Sequence, residues 1–266
     1  MRKTGCCTWI FGDTSLTDTA ARVSSAGLNG VELFGDWQNV NTQEAARILG
    51  DHGLEVFSLT PADADISHPD QTIRNQAIDY YKGLSDFAAA LGNPLISCHG
   101  QVGRIAPISS QAEEDALLQQ SVAQICEIAK GQQVVFEILN RYETHQIRTV
   151  SEGLALMKAV GADNLRLLPD AYHMNIEEAD PAGALRAGGD AIGLYHAADS
   201  NRMGVGAGHT DFAAQISALN DINYQGPVIF EVNAPGPNPF TPDKGEGFRD
   251  IVVEELARSV RLFNQG

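Results

Sequence analysis

Four short apolar runs in the second half of the chain each end in a side chain that can ligate a metal or carry a proton. Val-Val-Phe-Glu closes on Glu137, Leu-Leu-Pro-Asp on Asp170, Gly-Leu-Tyr-His on His196 and Val-Ile-Phe-Glu on Glu231. An ionised group in such surroundings is strongly disfavoured unless it is paired or metal-bound. For any one of the four, a buried ion pair or a helix cap is an ordinary explanation. Four in succession need a shared one, and a divalent metal supplies it. Three carboxylates and one imidazole make a mainly oxygen donor set, which suits Mn²⁺, Mg²⁺ or Co²⁺ in roughly octahedral geometry better than structural Zn²⁺, where Cys and His dominate. Coordination positions left open would take substrate oxygens.

A second polar layer follows each of the first three ligand positions: Asn140-Arg141-Tyr142-Glu143-Thr144-His145, then His173-Met174-Asn175, then Asp199-Ser200-Asn201-Arg202. Singly, Glu143, His173 and Arg202 read equally well as solvated loop residues. Around a metal they form a set of hydrogen-bonding groups for a polyhydroxylated ligand.

The elements that must position these residues repeat along the whole chain. Strand-like runs occur at 4–11, 30–34, 54–59, 94–99, 134–139, 165–170, 192–197 and 228–232, each short, apolar and bounded by turn or polar residues. Helical spacing fills the intervals at 16–26, 42–52, 73–91, 113–130, 152–160, 181–187, 212–219 and 252–263. Several helices run into a glycine that can close the last turn, as at Ala26-Gly27, His52-Gly53 and Val160-Gly161. Strict alternation of buried strands with helices predicts a parallel sheet, and eight repeats of about 33 residues fit a closed (β/α)8 TIM barrel over residues 1–266 as a single domain. The least regular stretches, 61–69, 100–110, 199–211 and 234–247, all follow a strand, at the end of the barrel where active sites are built.

With those segments laid out, the sequence resembles a known family. Glu-Ile-Leu-Asn-Arg-Tyr-Glu-Thr-His (137–145), Asp-Ala-Tyr-His-Met-Asn-Ile-Glu-Glu (170–178), His-Ala-Ala-Asp-Ser-Asn-Arg (196–202), Asp-Ile-Asn-Tyr-Gln-Gly (221–226) and Phe-Arg-Asp (248–250) are similar to segments of the D-tagatose/D-psicose 3-epimerases. These belong to the xylose-isomerase-like sugar isomerase and epimerase barrels. The match is dense from about residue 132 to 252 and looser before it. The resemblance implies that Glu137, Asp170, His196 and Glu231 hold one metal ion, Mn²⁺ first, with Glu137 and Glu231 also the acid/base pair. It implies further that Glu143, His173 and Arg202 hold the sugar oxygens near the reacting carbons, and that the protein is a homodimer or homotetramer. The chain departs from the family pattern at Pro169, at Val232-Asn233 where Pro-Phe is the family expectation, and in its proline- and glycine-rich loop at 234–247.

Barrel geometry favours the same chemistry. Strands five and eight of a ring of eight stand roughly 135° apart, so Glu137 and Glu231 reach the axis from different sides, one carboxylate for each face of a bound carbon. The expected reaction is inversion at C3 of a ketose: the metal chelates adjacent ketose oxygens, a cis-enediolate forms, and two glutamates move the proton. An aldose–ketose isomerase, for a sugar or sugar phosphate, is the alternative on the same metal site. Metal-dependent hydrolysis of DNA and a noncatalytic sugar-binding barrel fit less well, the first for want of histidines and basic charge, the second because binding needs no matched pair of bases.

Composition narrows the remaining classes. The 266 residues carry 34 acidic against 18 basic side chains, a formal charge of −16, which disfavours phosphate backbones and anionic membranes as partners. No stretch approaches the roughly 20 apolar residues of a membrane span, and the first residues lack the features of a secretion signal, so a cytoplasmic location is expected. Four cysteines are too few for a disulfide framework and read as buried thiols. Gly204, Gly206 and Gly208 look like a dinucleotide loop, but His209 stands where the third glycine belongs, so a turn is expected. Glu32 and His99 also end strands without a partner pattern, as pocket wall or buried hydrogen bond. Trp9 and Phe34 read as core and His52 as a helix end. Arg104, Lys244 and Arg249 are the basic residues that could meet a phosphate.

Overall fold

Strands buried on both faces must be apolar throughout, and side chains of successive residues must alternate between barrel interior and helix layer. The computed structural model describes residues 2–236, 238 and 241–265; Pro237, Pro239 and Phe240 of the 234–247 loop lie outside them. Among the described residues the strands are β1 (Thr4–Cys7), β2 (Gly30–Phe34), β3 (Glu55–Thr60), β4 (Leu95–Cys98), β5 (Val134–Ile138), β6 (Leu165–Pro169), β7 (Tyr195–Ala197) and β8 (Val228–Phe230). The helices are α1 (Leu16–Ser25), α2 (Thr42–Asp51), α3 (Gln71–Ala90), α4 (Gln111–Ile128), α5 (Val150–Val160), α6 (Ala171–Glu177), α7 (Pro181–Gly188), α8 (Phe212–Asp221) and α9 (Phe248–Gln265).

All strand pairs are parallel, in the order β6-β5-β4-β3-β2-β1-β8-β7. The seam between β6 and β7 is spanned by two isolated parallel bridges, Leu167 with Ile192 and Asp170 with His196. The ring is thereby nearly closed, a TIM barrel as the alternation implies. Tyr195 and Phe230 point outward onto Phe263 of α9, with ring centroids 6.1 and 5.7 Å apart. Their successors, His196 and Glu231, therefore turn to the interior.

Helix starts are set by short polar side chains. Ser15, Asn41, Asp70, Ser110, Thr149, Asp170, Asp180 and Asp211 each accept a backbone N–H of the first turn, which satisfies donors that the helix itself leaves unpaired. Thr149 and Glu152 form a reciprocal capping box, and α5 ends on Gly161 in the left-handed region at φ 67°. His52 stands at the end of α2. No helix among the described residues is long and apolar enough to cross a membrane, and the four cysteines are free and buried.

The ends of several elements differ from the sequence expectation, β7 beginning at Tyr195 rather than 192 and α9 at Phe248 rather than 252, and two departures bear on the site. The run 4–11 stays extended only to Cys7 and then coils into a 3₁₀ turn, Thr8–Phe11, which buries Ile10 and Phe11. Apolar character alone does not separate a buried strand from a buried turn. Helix α6 was not expected: at seven residues it is too short for a periodic signal, and its cap is Asp170 itself. His173 consequently lies on a helix, not in a loop.

Gly30 marks a close approach of β2 to β3, where a Cβ would sit 2.6 Å from Phe57 Cε2 and collide with the Glu55 carbonyl. Gly30→Ala is expected to cost about 1–3 kcal/mol, lowering the thermal midpoint by about 2–4 °C per kcal/mol. Circular dichroism melts check this, and an unshifted midpoint would mean that the two strands separate freely.

Candidate metal and sugar site

Glu137 comes from β5, Asp170 from the residue after β6, His196 from β7 and Glu231 from the residue after β8. Each offers one ligand atom, and the four atoms lie within 4.8 Å of one another. His196 Nδ1 is 3.2 Å from Glu231 Oε2, 3.6 Å from Glu137 Oε1 and 3.9 Å from Asp170 Oδ2. Asp170 divides its work: Oδ1 accepts the Tyr172 N–H at 2.7 Å to cap α6, while Oδ2 faces the cluster.

Arg202 is the cation that answers these acids. Its guanidinium stands 2.9 Å from Asp170 Oδ2 and 2.8 Å from Glu231 Oε2, and stacks 4.5 Å over the Tyr172 ring. Its backbone is left-handed at φ 62°, an unusual state for a long side chain. The surrounding loop imposes it. Asp199 is fully buried and accepts the N–H groups of Ser200, Gly206 and Thr210 at 2.7, 2.9 and 3.0 Å. Arg202 N–H donates to the Asp199 carbonyl, and Asn233 N–H donates to the Arg202 carbonyl, each at 2.7 Å. Gly204 and Val205 are tied to Glu255 and Ser259 of α9, so the glycine-rich stretch is a fastened turn with no nucleotide geometry.

His173 Nδ1 accepts from Asn140 twice, from the backbone N–H at 3.2 Å and from Nδ2 at 2.7 Å. Its hydrogen therefore sits on Nε2, which faces Asp170 Oδ2 at 3.7 Å. Burial lowers its pKa and keeps the ring a neutral donor. Glu143 accepts from the same Asn140 Nδ2 at 3.2 Å. One asparagine thus orients two of the expected sugar-binding residues.

Electrostatics separate the two glutamates. Burial, with Glu231, Asp170 and Glu32 nearby, raises the Glu137 carboxyl well above its ordinary value against the opposing pull of His196. Glu231 is half-buried, and there Arg202 and His196 outweigh the burial and hold it well below the usual range. Burial alone would depress His196, but Glu32, Glu231 and Glu137 raise it well above an ordinary histidine.

Above this floor is a cavity of about 360 Å³ reached by Glu137, Glu143, His173, His196, Arg202 and Glu231, with Trp9, Phe34, Val102 and Leu139 on its apolar side. A smaller chamber of about 140 Å³ continues past Trp9 and Tyr172. Every site residue expected from the sequence meets at this one place. Trp9 and Phe34 correct the expectation that they are core: they line the cavity, edge to face at 6.5 Å, with Phe34 40% exposed. An apolar pair at a strand end carries no sign of which way it turns. Glu32 is a buried hydrogen-bonding residue, and His99 does both jobs, lining the cavity and bonding the Gly100 carbonyl at 2.8 Å. Asn140, Tyr172 and Asp199 were missed as orienting residues, although Asn140 lies in the same motif as Glu137.

Residues 20–251 match the family model described as xylose isomerase-like TIM barrel. The chain belongs to that family. Within it the chain groups with the ketose 3-epimerases, which are carbohydrate isomerases. It is 31% identical over 227 residues to the L-ribulose 3-epimerase of Mesorhizobium japonicum, covering 82% of this chain and 75% of the relative. A crystal structure of the D-allulose 3-epimerase from Methylomonas sp. superposes with a TM-score of 0.87 at 26% identity, over 99% of this chain and 97% of that one. The 3-dehydro-D-guloside 4-epimerase of Escherichia coli is 27% identical over 239 residues, 86% of this chain and 91% of the relative.

Asp199→Asn puts an amide among three N–H donors. It is expected to cost about 1–3 kcal/mol, read as a lower thermal midpoint. The backbone donors outweigh burial and depress the Asp199 pKa, so its contribution is full above the unfolded value of about 3.9 and fades as pH falls through the folded one. The gap to wild type should narrow in acid, and a gap independent of pH would contradict this account.

Proposed function

We propose that the chain is a divalent-metal-dependent epimerase that inverts C3 of a free ketose, with Glu137 and Glu231 as the proton-transferring pair. The observation that carries this reading is the convergence of Glu137, Asp170, His196 and Glu231 within 4.8 Å beneath a cavity of sugar size. The donor set fits a hard divalent ion: the buried carboxylates of Glu137 and Asp170 and the half-buried one of Glu231 face one another with Arg202 as their lasting countercharge, and Glu137 is driven toward its neutral form. These four residues would hold the ion, Mn²⁺ first and Mg²⁺ or Co²⁺ as alternatives. When bound, the ion would supply Lewis acidity that makes the hydrogen beside the sugar carbonyl easier to remove.

The remaining work falls to side chains. Glu137 and Glu231 arrive from strands three steps apart, so one takes the C3 hydrogen and the other returns a proton to the opposite face. His173 offers a neutral Nε2–H to a sugar oxygen, Glu143 accepts from a hydroxyl, and Arg202 donates beside Glu231. An enediolate formed between these donors is stabilised without reorganisation of the site.

A neutral sugar fits better than a sugar phosphate because nearby cations are already engaged. Arg104 pairs with Asp65 at 2.9 Å and with Glu114. Arg249 donates to the carbonyls of Phe11 and Asp13 at 2.8 and 2.9 Å, and Lys244 donates to the Asn238 carbonyl. Apart from the site residues, Thr60 and His99, the cavity lining is apolar.

The test is NMR in D₂O with Mn²⁺ and free ketoses, including D-fructose, D-psicose, D-tagatose and L-ribulose. Deuterium should enter C3 as the C3 epimer forms, and Glu231→Gln should slow this by about 10²–10⁴-fold. Label at C1 or C2 with an aldose product would establish the isomerase instead, and label at C4 would align the chain with its 4-epimerase relative. A second expectation follows from the raised Glu137 and His196 values. Mn²⁺ uptake by metal-free protein should release at least one proton near neutrality and tighten as pH rises. Titration calorimetry in buffers of different ionisation enthalpy reads this, and proton-neutral uptake would contradict it.

A further inference from the structure

Glu32 is completely buried behind His196 and does not line the cavity. Its place is set by an irregularity in the barrel. The register of β2 on β3 slips between Val31 and Glu32: Val31 stands opposite Val56, whereas Glu32 stands opposite Ser58, so Phe57 is skipped. Such bulges re-aim side chains beside functional sites. Without the slip, the β3 neighbour of Glu32 would be a phenylalanine. With it, the carboxylate accepts from Ser58 Oγ at 2.6 Å and from Thr60 Oγ1 at 2.7 Å. On the other side, β1 sets Cys7 in direct register with Glu32, and its Sγ–H points to Oε1 at 3.7 Å. The fourth partner is His196 Nε2, 3.2 Å from Oε2.

Two donors therefore meet each carboxylate oxygen, Cys7 and Thr60 on Oε1, Ser58 and His196 on Oε2. A carboxylate has about four lone-pair sites, and all are taken. Cys7, Glu32 and His196 are also close enough to hold a cation of their own. The two hydroxyls decide against it, because they fill the lone pairs that an ion would need.

We propose that Glu32 is the positioning residue for His196. It accepts the Nε2 hydrogen and fixes the plane of the ring. The Nδ1 lone pair is thereby aimed at the space between Glu137, Asp170 and Glu231, from which Nδ1 stands 3.2–3.9 Å. This rests on the metal reading above. Histidine ligands in general depend on such a carboxylate for tautomer and orientation, and its loss typically weakens metal binding about 10–100-fold. Here the carboxylate is itself immobilised by three further donors from the two flanking strands.

Glu32→Gln keeps the shape but leaves one amide oxygen to serve four donors. Mn²⁺ affinity, read from the free-ion EPR signal, should fall about 10–100-fold while circular dichroism stays native. At saturating Mn²⁺ the KM for the ketose should match wild type, since Glu32 touches no part of the cavity. In Mg²⁺-saturated protein, long-range ¹H–¹⁵N spectra should show His196 protonated on Nε2 in both forms, with the Nε2–H signal of the variant shifted upfield and exchanging faster with water because its carboxylate acceptor is gone. If Glu32→Gln does not fold, Ser58→Ala, which frees the carboxylate oxygen shared with His196, should weaken Mn²⁺ severalfold. Tight Mn²⁺ binding by wild type and equal binding by a folded variant would overturn the positioning role alone. Failure of wild type to bind Mn²⁺ would overturn the metal reading and this proposal with it.

Discussion

Three carboxylates forced together inside a protein repel one another, and much of the second half of this barrel is arranged around that repulsion. Arg202 bridges Asp170 and Glu231, and His196 faces all three acids through one nitrogen. Burial, with the neighbouring acids adding to it, pushes Glu137 toward its neutral form, while Arg202 and His196 hold Glu231 ionised. This concentration of acids is what the proposed divalent cation would complete.

The scaffold supplies what this concentration of charge requires. Asp170 and His196 are brought side by side where β6 and β7 meet through isolated bridges rather than a continuous ladder. The barrel is thus least regularly paired where two of the acid–imidazole contacts lie. Arg202 is held in a left-handed backbone by the Asp199-centred loop, which α9 fastens from behind. Asn140 orients His173 and Glu143 together. His173, Glu143, His196 and Arg202 each have a partner that fixes their direction, as a preorganised site requires.

Much of this was legible in the residue order. Strand and helix alternation, with glycines and capping residues at the boundaries, prescribes a parallel barrel because strands buried on both faces have few other ways to be covered. Period-two alternation then sends Glu137 and His196 inward when Phe136 and Tyr195 pack outward, so the four ionisable strand ends had to converge. The motif around Asn140 and Glu143 was visible for the same reason: it follows a strand end directly, where position along the chain and position in space nearly coincide.

What stayed hidden depends on register and distance rather than on residue type. Nothing in the run around Glu32 announces the one-residue slip that trades Phe57 for Ser58 as its neighbour, because a bulge is decided by how two strands twist and pack against each other. The 3₁₀ turn after Cys7 and the short helix after Asp170 are likewise too brief for periodicity to reveal. Trp9 and Phe34 are apolar and would suit the core equally well; which side of the barrel rim they face is settled by contacts between segments far apart in the chain. Local sequence prescribes elements and the inward set of side chains, whereas orientation, pairing and charge balance arise only once distant strands share one interior.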